Sequence, residues 1–460
     1  MPSVDLHEAL LTGGLRHPHF FNGRVLTAEA LQTEQAAQHT HARRLGQSIG
    51  TGVVRGLEVR IGQSTGPRPT VIVSAGLALN RAGQVLAVPD ALTEVEVVLV
   101  RAPRPAEPIT GDGLFAACTG HPGTQPPDTP FTATGQGAYV LVLAPAADYR
   151  ERVPGVGLTD HGTARSCGSR FVEEGVQFRL EPLDVHTPAV AGPLSETLPA
   201  LMARTDPAGI ARTRNLLAHL CLGTPTALNA PVDLFRALRG DLDHSTYGPL
   251  DALRLQNRLT DGDVPLALIR WAATGLQFVD MWAVRRRLHR LDATHTAPFP
   301  ATDRRRAEAE AAFLQFQQHL ADLTRPGALD RPATQVHARD FFAYLPAAGV
   351  IPLDGARFSI GLHPEPFFAG RAHRPPGRIE GARLRAMLAA SFDYPPIDLE
   401  QQEMVWIYQV RENTAAVMAG SASRPDPFLL FTNGHMPFAG EARYDLSRWD
   451  FSQYASDLDT

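Results

Sequence analysis

Residues His19–Pro89 constrain what this chain can fold into more than any other stretch. An apolar start, HFF, leads into a helix signal and then into short β-type runs divided by glycine. Thr27 is a favourable N-cap, and Glu29 puts an acidic group in the first turn, where the helix dipole favours it. The segment TAEALQTEQAAQHTHARRLGQSI is built mostly of good helix formers, with Arg43 and Arg44 late and Gly50 and Gly52 as its stop. Leu26, Ala30, Leu31, Glu34, Ala37 and Leu45 leave this helix only a narrow apolar stripe. VVRGLEVRI, TVIVSAGLAL, QVLAVP and EVEVVLVR then read as four strands, with Gly76 and Gly83 at turns or bulges. The pattern is that of a module that sets a helix and a small sheet against something else.

A chain of 460 residues is too long for one ordinary core, which predicts about two to four domains. The formal net charge of -5 offers no basic excess to hold a phosphate backbone, so nucleic acid is not an expected partner. All 43 Lys/Arg positions are arginine. That excludes lysine Schiff-base chemistry and a P-loop lysine. HExxH, GxGxxG and Walker A patterns are absent.

The expected fold class is α+β and multidomain. An N-terminal helix plus small antiparallel sheet units occupies 1–100, and a second β-rich unit with a Pro/Gly-rich loop spans 101–190. A mainly helical region covers 191–325, and an aromatic- and Pro-rich α+β domain covers 326–460. TDRRRAEAEAAFLQFQQHLADL reads as a helix with Phe313, Phe316, Leu320 and Leu323 on its apolar side. VPLALIRWA suits either a strand or a buried helix, and LQFVDMWAVRRRLHRL a strand passing into a helix. In the last part, a helix at 379–391 and strands at 404–411 and 427–432 are expected. The start MPSVDLHEALLTGG lacks the basic and apolar regions of a signal peptide, and no apolar run approaches a membrane span. Synthesis and assembly in the cytoplasm follow as the expectation, compatible with later release inside a particle.

Candidate chemistry is sparse. Cys118 and His121 have ligand-like spacing, and His161 with Cys167 could complete a Cys2His2 zinc set, although both pairs lie in loops without a CxxC knuckle. The bland reading is four ordinary loop residues, and no cofactor is expected. Three cysteines do not indicate a disulfide framework. Cys221 in LLAHLCLG reads as a buried helix position with His219 pointing elsewhere, while Cys167 lies near arginines that would lower its pKa. Glu173–Glu174 and Asp241–Asp243 read as solvated surface. Trp406, Tyr408, Phe431, Phe438, Trp449, Phe451 and Tyr454 suit a compact core with a docked tail, or else a sugar platform. Arg285, Arg286 and Arg287 after Trp282 suit a solvated helix end, or else a clamp for an acidic partner.

FFNGRVLTAEALQTEQ…GVVRGLEV…VIVSAGLALNRAGQVLAVP resembles a segment of phage tail and contractile-injection-system proteins. The matching positions are Phe21, Gly23, Leu26, Thr27, Ala28 and Leu31; then Gly52, Val53, Val54, Gly56, Leu57 and Val59; then Val73, Gly76, Ala78, Leu79 and Gly83. Asn80 departs from the aspartate many relatives carry. A looser likeness is to the start of the type VI secretion baseplate adaptor. The stretches YLPAAGVIPL, EGARL, YPPIDL and WIYQVREN are similar to bacterial proteins without an assigned activity. The resemblance implies a non-enzymatic part of a phage-tail-like particle, acting in baseplate or fibre/adaptor attachment. It implies baseplate, sheath or tail-fibre partners and a possible homo-oligomer. The docking surface is expected at Phe20, Phe21, Leu26, Leu31, Arg43, Arg44, Val54 and Leu57. Two alternatives stand beside it: a metal- or cysteine-dependent hydrolase using residues 118–167, and a carbohydrate-binding fibre-tip module in the C-terminal domain.

Overall fold

A computed structural model describes residues 18–99, 137–183, 198–224, 248–288, 302–352, 362–412 and 428–440, less a few short stretches within them, Phe20 and 160–161 included. Helix α1 (Ala28–Ile49) leads into six short strands: β1 (Gly52–Gly56), β2 (Val59–Ile61), β3 (Thr70–Ser74), β4 (Gly76–Leu79), β5 (Val85–Val88) and β6 (Glu94–Val98). They form two antiparallel three-stranded sheets, ordered β1-β4-β5 and β2-β3-β6. The first two of the four expected strands are each broken in two, because the chain turns a corner between the sheets. At that corner Gly56 (φ 58°) and Leu57 (φ 55°) both adopt the left-handed conformation, and Gly76 packs against the Arg55–Leu57 backbone without room for a Cβ.

The central sheet is antiparallel, in the order β10-β9-β7-β8, from β7 (Gly137–Thr159), β8 (Gly162–Pro182), β9 (Val264–Ala272) and β10 (Gly275–Asp280). Its strand pairing joins residues 137–143 to 264–271, across the 190/191 division expected from the sequence. Period-two alternation along β7 shows how both faces are covered. Tyr139, Leu141 and Leu143 meet the N-terminal sheets through Val53, Leu57, Val73 and Leu86. Ala138, Val140 and Val142 meet a helical layer through Leu201, Leu216, Leu217 and Leu253. That layer comprises α2 (Leu198–Ala203), α3 (Pro207–Cys221) and α4 (Pro249–Leu255).

The ambiguous run 264–288 thus opens with a β-hairpin at 264–280, within a region expected to be mainly helical. β9 is apolar on both faces because both are buried, and such a run has no period that separates strand from helix. The expected helix after β10 is absent among the described residues. Instead 281–284 turn, and 286–288 lie along the edge of β1, with Val53 N donating to Arg286 O at 2.9 Å and Leu288 N to Val53 O at 3.1 Å.

A second core lies on the far side of α3. There α5 (Thr302–Leu323) packs with a four-stranded sheet of order β12-β16-β15-β13: β12 (Ala348–Pro352), β13 (Gly377–Ile379), β15 (Val405–Val410) and β16 (Phe428–Asn433). This sheet is antiparallel except where β13 joins β15 in parallel. A two-stranded pair, β11 (Tyr344–Leu345) with β14 (Ile397–Asp398), lies beside it. Ile407 and Phe431 face α5, whereas Trp406, Tyr408 and Leu430 share the other face with Met387 of α6 (Gly381–Ser391). The expected α+β class is the one observed.

Candidate protein interface

Helix α1 is presented to solvent along most of its length. Thr27 caps it, accepting a 3.1 Å hydrogen bond from Ala30 N on Oγ1, and Gly50 closes it with a 3.1 Å bond to Gly46 O. Of its 22 residues only Ala30, Ala37 and Gly46 are buried. Gly46 meets the β4–β5 turn at Gly83, where a Cβ on Gly46 would collide with the Gly83 carbonyl oxygen and one on Gly83 with the Arg43 carbonyl oxygen. The turn is itself pinned to the 260–263 loop. Ala82 N donates to Asp261 O at 3.0 Å, and Arg81 pairs with Asp261 at 3.1 Å. Asn80, fully buried, accepts from Gln84 N at 2.7 Å and donates to Gly262 O at 3.0 Å.

Large apolar side chains stay exposed on and around this helix: Phe21, Leu26 (60%), Leu31 (49%), Leu45 (58%), Ile49 (52%), Val54 and Val85. Arg43 and Arg44 are exposed too. Leu57, expected on the docking surface, is instead wholly buried in the core beneath the N-terminal sheets, because the left-handed corner turns its side chain inward. Phe20 lies outside the described residues.

A second projecting element is the β7–β8 ribbon. β7 pairs with β9 only up to Leu143, but with β8 all the way to Thr159↔Gly162. Among the described residues, pairing from Ala144 outward is therefore with β8 alone, a ribbon on the order of 50 Å at the usual strand rise. Phe171 and Val172 are exposed on it.

Of the metal candidates, Cys118, His121 and His161 lie outside the described residues. Cys167 falls in β8 opposite Pro154, and its side chain is likewise outside them. Among the described residues no group of three or more His, Cys, Asp or Glu could hold a metal ion. Cys221 is buried in α3, and desolvation pushes its thiol up to about 12, which keeps it unreactive at neutral pH. The run Gly62-Gln63-Ser64-Thr65-Gly66 has G-x-S-x-G spacing. Ser64 follows β2, which pairs with β3, and stands between two strands rather than at a strand-to-helix turn, so it is not at a nucleophile elbow.

Several charged residues prove to be internal fasteners, which sequence patterning missed. Arg214 of α3 donates to Asp280 at 2.7 Å and to Asp322 of α5 at 2.9 Å, while Gln315 also donates to Asp280 at 2.9 Å. Arg212 joins α3 to the Arg339 and Phe342 carbonyls and to Glu400 at 2.7 Å. The one sequence signal was RTRN inside an otherwise apolar helix. The arginine triplet does not form a solvated helix end: Arg285 and Arg286 are held against the body, and Arg287 is exposed. Arg285 donates to the Gly56 and Leu57 carbonyls beside Trp282, Arg286 donates to Trp282 O and Cys221 O, and Arg287 pairs with Glu310 at 3.0 Å. Trp406, Tyr408 and Phe431 are buried core residues, and Phe438 packs on Trp406 and Tyr408, so these four form no open platform. Trp449, Phe451 and Tyr454 lie outside the described residues, as do Asp241 and Asp243.

No family model matches the sequence, and no curated protein matches it. Among solved structures, a crystal structure of TssK matches at 11% identity and a TM-score of 0.18, over 53% of this chain and 54% of that one. The chain thus spans about half of the TssK chain. A TM-score that low transfers neither fold nor function.

Proposed function

We propose that this chain is a non-enzymatic structural component of a phage-tail-like contractile injection system, acting in baseplate or fibre/adaptor attachment through protein–protein contacts. The observation that carries the reading is α1: a long helix tied to the body through a close glycine contact, with Leu31, Leu45 and Ile49 left in water. Exposed apolar side chains of this size in one region mark an interaction surface. The β7–β8 ribbon adds a second one, since a two-stranded ribbon gains stability when another surface covers it. The motif resemblance over Phe21–Gly83 supplies the class of assembly. Synthesis and assembly in the cytoplasm belong to the same proposal. Among the described residues no helix is long and apolar enough to cross a membrane.

The test is affinity capture of the full chain from its native host, with bound proteins identified by mass spectrometry. Recovery of sheath, tube, fibre or baseplate subunits is expected, and weakened recovery when Leu31 and Leu45 are changed to glutamate. Capture that brings down none of these subunits overturns the reading.

A further inference from the structure

The exposed side of α1 has the spacing of a helix-pairing seam. Ala28, Leu31, Gln35, Gln38, Ala42, Leu45 and Ile49 follow one another at alternating steps of three and four, and all seven are exposed. These are the a and d positions of a heptad register, apolar except at Gln35 and Gln38. The buried Ala30 and Ala37 lie on another face, while the buried Gly46 flanks the seam beside Ala42 and Ile49, so the β4–β5 turn borders the seam at its C-terminal end without covering it.

We propose that this seam binds a second copy of the same chain, with the two α1 helices antiparallel. This deepens the assembly reading above and rests on α1 being an association surface. Two properties of the sequence select the occupant and its direction. The first is shape. With Gln35 of one copy set beside Gln38 of the other, each leucine meets an alanine: Ala28 lies against Leu45 and Leu31 against Ala42. Such large-to-small layers have even width, whereas parallel pairing stacks leucine on leucine and alanine on alanine. The same register brings Ile49 near the exposed Leu26 of the second copy. The second property is charge. Glu29 and Glu34 occupy the N-terminal half, and His39, His41, Arg43 and Arg44 the C-terminal half. Glu29, Arg43 and Arg44 fall at b and c positions that face away from the seam, whereas Glu34 and His41 flank it at g; antiparallel pairing also opposes the helix dipoles. Glu34 then flanks His41 of the second copy on both sides of the two-fold axis.

The central glutamines form polar layers that fix register at some cost in affinity. Sterics agree. The close contact of α1 with the β4–β5 turn is at Gly46, near its C-terminal end, so antiparallel pairing sets the two turns toward opposite ends of a helix about 33 Å long.

Sedimentation of the purified full chain tests this without any partner protein. A concentration-dependent dimer is expected, with Leu31→Glu/Leu45→Glu raising the dissociation constant at least ~100-fold while circular dichroism shows the fold intact. For direction, a Leu31→Cys chain is mixed with an Ala42→Cys chain and oxidised. The mixture is expected to cross-link to a dimer, and each chain alone only to the level of the parent. A chain that stays monomeric, a dimer that survives the double glutamate change, or Leu31→Cys alone cross-linking as readily as the mixture overturns the proposal. Should the glutamate variant fail to fold, the cysteine mixture decides. A dimer in a chain that captures no tail subunit would sink the assembly reading and leave this one standing.

Discussion

Asn80 donates from its side-chain amide nitrogen to the carbonyl oxygen of Gly262 at 3.0 Å, joining the β4–β5 turn to a loop 182 residues further along the chain. The resemblance leads one to expect aspartate here, and the structure explains the amide. A carboxylate has no hydrogen to give Gly262 O and would face it with like charge.

Asn80→Asp is accordingly expected to destabilise the chain by about 1–3 kcal/mol, the cost of leaving a buried acceptor unpaired. Urea unfolding at neutral pH measures it. An unchanged midpoint would show that the Asn80–Gly262 bond contributes nothing.

Gly83 carries φ 78° and touches the Arg43 carbonyl, so Gly83→Ala meets both backbone strain and a collision. The expected result is local: faster amide exchange through residues 43–50 as the end of α1 lifts from the turn. Exchange rates equal to the parent's would contradict the tight contact.

Arg214→Leu leaves Asp280 charged in the core with Gln315 Nε2 and Ala283 N as its remaining donors. Removing one partner of a buried ion pair costs about 3–5 kcal/mol. Asp280→Asn combined with Arg214→Leu should cost less than the sum of the single changes, because the orphaned charge is gone. Additive losses in a double-mutant cycle would refute the coupling.

Two buried histidines give the chain an acid limit. Desolvation lowers His219 to about 3, and lowers His319 well below its ordinary range with Arg214 and His219 adding to the effect. A neutral histidine that charges only on unfolding leaves the unfolded state holding more protons between the two pKa values. Stability is therefore fully present above about pH 6.5, and it falls as pH drops toward the folded-state values. The slope is up to about 1.4 kcal/mol per pH unit for each histidine. Denaturant midpoints from pH 7 to pH 4 should show this slope, and His319→Gln should flatten it. A midpoint that rises on acidification would reverse the sign and refute the account.

What the sequence determined alone is local. The Thr27 cap, the glycine stop after Ile49, the period of α5 and α6, and the strands at 405–410 and 428–433 all follow from chemistry within a few residues. Where both faces of an element are buried, the pattern loses its period, and β9 could be read as helix. What only the tertiary structure decided is which polar groups are internal and which apolar groups are not. Arg214 needs carboxylates 66 and 108 residues away, and Arg285 needs carbonyls 228 and 229 residues back. Leu57 and Leu31 are the same residue type, yet one fills the core at a left-handed corner and the other faces water. Local sequence sets the shape of each element, whereas burial is a property of what the rest of the chain brings to it.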